Sequence, residues 1–376
     1  MKKLTALFAA AALTLACCTG CANLATNATD PGKQDATGDQ GALDGKEVTI
    51  NVYNWGQYIS EGDEGSMDVI AEFEKAYPNI HVNYSTYDTN ETLYTKLKTG
   101  GISVDVIIPS DYMIGRMIEE DMLLPLNFDN IPNYQYIDEA YRGAAYDPEN
   151  QYSVPYTWGT VGIVYNTKYV DPADVTGWEL LWNEKYSGKI LMFGNSRDAF
   201  GIAEAMLGYS LNTTDEQELQ AAADKLHAQR PLVQQYVMDE IFSIMENGEA
   251  WIAPYYAGDC LFMMENNPDL AFFRPEEQGF NFFLDAMCIP KCCQNKDAAE
   301  LFINFLCKPE IAGGNMDYLG YGVPETAAKE FMDQEVVTSE IAYPGAEILS
   351  HGSIFMNLPT ETLQRMEELW LWAKTS

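Results

Sequence analysis

Between residues 46 and 108 the chain reads KEVTINVYNWGQYISEGDEGSMDVIAEFEKAYPNIHVNYSTYDTNETLYTKLKTGGISVDVII. Val48, Ile50 and Val52 alternate, which predicts a strand over 46–54. Val69, Ile70, Phe73, Ala76 and Tyr77 then recur at helical spacing over 66–77, and Pro78 stops the helix. Alternation returns from Ile80 to Thr86. Asn90 next offers a cap to a helix carrying Leu93 and Leu97, which Gly100 and Gly101 end. Val104–Ile108 is a short apolar run bounded by Pro109, as expected of a buried parallel strand. Strand, helix, strand, helix, strand is the order of an α/β fold.

The same order repeats downstream. Strands are expected at Val161–Asn166 and Lys189–Phe193, and helices at Trp178–Trp182 and Arg197–Gly208. Thr214 to Gln217 has the form of a capping box, opening a helix to about Gln229. Trp251–Tyr255 and Phe280–Ile289 read as strands, and Asp297–Cys307 and Thr360–Lys374 as amphipathic helices. No internal repeat or second linker divides the body, so two lobes would have to be woven together by crossing segments.

The N-terminus sets the compartment. MKKLTALFAAAALTLACC has two lysines and an apolar stretch too short to span a membrane, the form of a secretory signal over residues 1–20. Cys18-Thr19-Gly20-Cys21 is similar to a bacterial lipobox, making Cys21 the expected lipidation site, with Cys18 as the alternative. Residues 21–46 carry almost no large apolar side chain and are expected to be a flexible tether. These features place a folded domain at the outer face of a bacterial cytoplasmic membrane, lipid-anchored, or on the periplasmic side in a Gram-negative cell.

The formal charge is −34, and without residues 1–20 the chain keeps 20 basic against 56 acidic residues. Such a surface repels nucleic acid and anionic headgroups and attracts cations. Cys260, Cys288, Cys292, Cys293 and Cys307 show no zinc-ligand spacing and read as small buried hydrophobes, with room for one disulfide. Three histidines far apart in sequence argue against a histidine-rich metal site, and no cofactor motif is present.

In open α/β sheets ligands sit beyond the carboxyl ends of strands. Past the expected strand ends stand Trp55 and Tyr58, then Ser110 and Tyr112, then Asn195 and Asp198. Tyr256 and Asp259 follow, then Phe283 and Asp285. Any one of these could cap a helix or pack in a core. Together they repeat two chemistries, aromatic faces and carboxylates. Aromatic faces surround an alkyl chain and attract cations, and separated carboxylates bind ammonium groups. A slim aliphatic chain charged at each end, a polyamine, asks for both.

YNWGQY, STYDTNETLYTKLKTG, DVIIPSDYM, VPYTWGTVGIVYN, FLDAMCIP and AAELFINFLCKPEIA occur in this order. They resemble the spermidine/putrescine-binding proteins of bacterial polyamine ABC importers, over roughly residues 47–350. The resemblance implies an α/β, two-lobed periplasmic-binding-protein (Venus-flytrap) fold of type II, with interwoven lobes and a hinge. Lobe 1 would take 47–160 and 284–331, and lobe 2 would take 161–283 and 332–376. It implies a ligand site of Trp55, Tyr58, Ser110, Tyr112, Asp198, Tyr256, Asp259, Phe283, Asp285 and, from GYGVP, Tyr321. Asn195 stands where spermidine-preferring members carry aspartate, and Phe355 where a glutamine is usual. Together with Asp259 and Phe283, these departures lean toward putrescine over spermidine. The implied partners are a polyamine, a permease and a separate ATPase, with the receptor itself a monomer.

The rival classes are an enzyme, a receptor for another small organic cation, and a polyamine sensor. No GxSxG, HExxH or P-loop motif supports catalysis, and the reading is of a non-enzyme.

Overall fold

The structure is a computed structural model that describes residues 45–375. The expected signal peptide, the lipidation cysteines Cys21 and Cys18, and the tether as far as residue 44 lie outside the described residues.

The opening stretch folds as its periodicity predicts. It forms β1 (Val48–Trp55), α1 (Val69–Ala76), β2 (Ile80–Tyr87), α2 (Asn90–Thr99) and the two-residue β3 (Val106–Ile107). Asp68 caps α1 by accepting from Ala71 N at 2.9 Å. The cap of α2 is Thr89, not Asn90: Thr89 Oγ1 accepts from Thr92 N at 3.1 Å, and Asn90 is the first helical residue with a buried side chain. Helix α3 (Asp111–Glu119) follows directly.

β4 (Ser153–Asn166) begins eight residues before its expected start, because it pairs along its whole length. Trp178–Trp182 is a 3-10 turn, too short for an α-helical ladder. β5 (Ile190–Phe193), α4 (Ser196–Leu207) and α5 (Glu216–Gln229) come next. The cap of α5 is Asp215, which accepts from the amides of Gln217 and Glu218, so Thr214 does not open it. The rest comprises β6 (Val233–Val237), α6 (Ile241–Glu246), β7 (Ile252–Tyr256), α7 (Ala257–Asn266), β8 (Leu270–Phe273) and β9 (Phe280–Cys288). After these come α8 (Lys296–Leu306), α9 (Pro309–Leu319), α10 (Gln334–Val337), α11 (Ala346–Leu349), β10 (Gly352–Ser353) and α12 (Thr360–Thr375).

The strands order as β2-β1-β3-β9-β4-β7-β5-β6, with β8 on β4 and β10 on β9. β1 runs parallel to β2 and β3, as β5 does to β6 and β7. β4 and β9 run antiparallel and join the two parallel sets. Residues 153–160 of β4 lie on β9, and residues 161–166 lie on β7 and β8.

Hydrophobic packing follows that switch. One core gathers Phe73, Val154, Phe302 and Phe305, with Phe73 in edge contact with both phenylalanines at 5.0 and 5.4 Å. A second gathers Val161, Trp178, Phe193, Tyr255 and Trp370. Tyr53, Tyr87, Met113 and Phe355 belong to a third. Val336, Val337 and Tyr343 still pack on the first core, and Ile348 packs on the second. The five described cysteines are unpaired. Among the described residues no helix is long and apolar enough to cross a membrane.

Candidate functional site

All ten sequence-predicted site residues line one cavity. Its open volume is about 70 Å³, measured as the space a water centre can reach. A water needs roughly 10–15 Å³ on that measure, so the cavity has room for several waters or a small ligand.

Trp55 is the last residue of β1, and its indole Nε1 donates to Ile108 O at 2.8 Å, which fixes the ring. Gln57 turns the chain through the left-handed region (φ +51°) and brings Tyr58 back into the cleft. Tyr58 Oη donates to Asp285 Oδ2 at 3.0 Å. Phe283 and Asp285 do not stand past a strand end as expected. They lie inside β9, because that antiparallel strand runs under the cavity instead of ending at it.

A bulge in β4 sets their register: Pro155 faces Ala286 and Thr157 faces Asp285, leaving Tyr156 as the extra residue. Tyr156 Oη then donates to Tyr58 O at 2.6 Å, so the bulge also holds the Tyr58 backbone. Ser110 and Tyr112 enter at the start of α3, after β3. Asp198 is in the first turn of α4, where Asn195 caps the helix by accepting from Asp198 N at 2.8 Å. Asp198 Oδ2 accepts from Tyr256 Oη at 2.8 Å and Asn195 Nδ2 at 2.7 Å.

Tyr321 follows Gly320, the left-handed end of α9, and is 2% exposed. Its ring lies flat on Gly258, where a Cβ would come within 2.6 Å of three ring carbons. Gly159 leaves room for Phe283 in the same way, at 2.5 Å. These glycines shape the aromatic wall and carried no sequence signal.

The sequence reading also missed Glu91, Asp111 and Asp239, which line the cavity. Asp111 reads as a helix-start residue, and it does accept from Tyr112 N at 2.7 Å, but it is fully buried beneath the cleft. Asn90 positions two predicted residues: Nδ2 donates to Tyr112 Oη at 3.0 Å and Oδ1 accepts from Ser110 N at 3.2 Å.

The electrostatics have one sign. Glu91, Asp111, Asp198, Asp239, Asp259 and Asp285 line the cavity, and no described lysine or arginine does. Burial pushes every one of these carboxyls above its ordinary range. Asp111 reaches about 7 and Asp259 about 8. Asp285 is raised by burial and then by Asp111. Arg197 is held away by Leu211 O and Asn212 Oδ1, its guanidinium 4.1 Å from the Phe355 ring centroid. The site can surround an alkyl chain and take up positive charge.

A two-lobed α/β receptor with such a cleft has the form of a solute-binding protein, and residues 68–344 match the family model for bacterial extracellular solute-binding proteins. The chain is 33% identical over 305 residues to the spermidine/putrescine-binding periplasmic protein of Escherichia coli, covering 81% of this chain and 85% of that one. A solved Listeria monocytogenes protein superposes with TM-score 0.81 at 38% identity, covering 87% of this chain and 99% of that one. The substrate-binding protein of a Streptococcus pneumoniae spermidine/putrescine ABC transporter does so with TM-score 0.73 at 36% identity, covering 87% and 98%. This chain belongs to the bacterial spermidine/putrescine-binding protein family. Its members are transport components and not enzymes.

Proposed function

We propose that this chain captures a polyamine in the cleft and delivers it to an ABC permease driven by a separate ATPase. The observation that carries the reading is Asp285. It is 4% exposed and lines the cavity beside Ser110, one oxygen taken by Tyr58 and the other, Oδ1, buried with no well-formed hydrogen bond among the described residues. A buried carboxylate oxygen left without a donor is costly, and a ligand ammonium supplies the donor. Trp55, Tyr58, Tyr256, Phe283 and Tyr321 wall the alkyl chain. Ser110, Tyr112, Asp198, Asp259 and Asp285 take its polar ends.

The lobes we propose are 47–160 with 284–331, and 161–283 with the C-terminal segment. Support comes from the two cores, which part between Tyr156 and Val161 and between Phe280 and Phe283. Packing of Val336, Val337 and Tyr343 on the first core favours a last crossing after Tyr343, later than residue 332. Closure of the lobes about β4 and β9 would bury the ligand. The receptor acts as a monomer, lipidated at Cys21 (or Cys18) on the outer face of the bacterial membrane. Asn195, Phe355, Asp259 and Phe283 favour putrescine over spermidine.

The test is a melting-temperature shift on the chain from about residue 30, freed of ligand by unfolding and refolding. The ligands are putrescine, cadaverine, spermidine, spermine, choline, arginine and maltose. A ligand at 100 times its Kd adds about 2.7 kcal/mol. A shift confined to polyamines supports the reading. A shift with choline or arginine alone would transfer the site to another cation class, and no shift with any amine would reject it.

A further inference from the structure

Glu91 has no place in the site read from the sequence, yet it occupies the junction of two cavities. It sits in the first turn of α2 and lines both the cleft and a second cavity of about 400 Å³ between α2, α3, α4 and α12. Tyr112 Oη donates to its Oε1 at 2.9 Å and itself accepts from Asn90, so the carboxylate is aimed by a buried relay. Glu91 forms no ion pair among the described residues.

The basic groups that line the second cavity with it are committed elsewhere. Arg116 pairs with Glu120 at 3.0 Å, and Arg197 is held by Leu211 O and Asn212. Its cavities hold carboxylates instead: Asp198 of α4 lines the cleft with it and Glu367 of α12 lines the second cavity with it, and both act with burial to raise its pKa.

Building on the polyamine reading, we propose that Glu91 is a ligand-contacting residue: it and Asp198, one from each lobe, hold the distal ammonium between them. Asp259 and Asp285 hold the proximal one. An ammonium has three donors and accepts nothing, and between two carboxylates of one cavity it turns a repulsion into charge-assisted hydrogen bonds. Because the two acids belong to different lobes, the distal ammonium favours the closed state over the open one. A diamine then bridges the lobes at both ends, which a monoamine cannot do.

The test is calorimetric titration at pH 7.5 of wild type, Glu91→Gln, Glu91→Asp and Glu367→Gln, each with putrescine and with 1-aminobutane. The monoamine has the same carbon chain and one ammonium, which on this proposal takes the Asp259–Asp285 end, where Asp285 is buried. We expect Glu91→Gln to weaken putrescine at least tenfold and 1-aminobutane less than twofold. Glu91→Asp should recover part of the loss, and Glu367→Gln should leave both amines within twofold. Equal losses for the two amines would reduce Glu91 to a support for Tyr112 and overturn the proposal, as would an unchanged putrescine affinity. Wild type that binds neither amine would overturn the polyamine reading itself.

Discussion

Replacing Asp285 with asparagine changes the charge of the site while keeping its shape. The side chain is buried in β9, accepts from Tyr58 Oη through Oδ2, and leaves Oδ1 for a ligand. Hydrogen bonds to charged groups contribute about 1.5–3 kcal/mol, and truncating one partner of a buried charge pair costs about 2–5 kcal/mol. Part of that gain is already offset in the wild type. Burial and then Asp111 raise the pKa of Asp285 in the empty cleft, which works against the charged form that an ammonium needs. We therefore take the low end, about 2 kcal/mol, which is roughly a thirtyfold loss of putrescine affinity at pH 7.5. Calorimetry measures it directly. The ligand-free variant should melt at or above wild type, because it no longer carries an acid whose folded pKa lies above its unfolded one. Unchanged affinity would refute the assignment of Asp285 as an ammonium partner. A lowered melting temperature together with lost affinity would recast it as a packing residue.

The raised carboxyls also predict the pH response. Asp111 near 7 and Asp259 near 8 lie above the unfolded 3.8, so the folded chain holds protons that the unfolded chain lacks between about pH 4 and 8. Ligand-free stability should thus rise as pH falls from 8 to 5, while the shift given by putrescine shrinks; melts at four pH values check both, and a shift constant with pH contradicts the charge argument. Gly258→Ala should push Tyr321 off the wall, destabilising by about 1–3 kcal/mol and weakening every polyamine several-fold. Full affinity in that variant would show that Tyr321 makes no contact. Thr89→Ala should cost about 1 kcal/mol of stability through its lost cap, with binding intact, whereas Asn90→Ala should weaken binding by releasing Tyr112 and Ser110. Melting and titration of the pair separate the two roles.

Much of this was legible in the sequence because periodicity survives where one face of an element is buried. β1, α1 and β2 fell where the spacing put them. Caps were less legible, since Thr89 and Asn90, or Thr214 and Asp215, are equally good acceptors and only the local turn chooses between them. β4 was foreseen only in its second half. Its first half carries Pro155, Tyr156 and a bulge, which break the alternation a strand search relies on. The aromatic and carboxylate residues announced the cleft through their chemistry. Glu91 and Asp111 stayed hidden because an acid in the first turn of a helix has an ordinary explanation in the helix dipole. Gly159 and Gly258 stayed hidden because an absent side chain speaks only beside the ring it admits.

The sharing of β4 and β9 bears on how the chain comes apart. Each strand contributes one end to the sheet of one core and its other end to the second core. Neither lobe therefore owns a complete sheet, and a fragment ending near residue 160 would expose strand edges on both sides of the cut. The empty protein should accordingly lose both halves in one sigmoidal transition, with no half-folded plateau. A break within Ser153–Asn166 would abolish the whole fold, where a cut in a flexible linker would release two stable pieces.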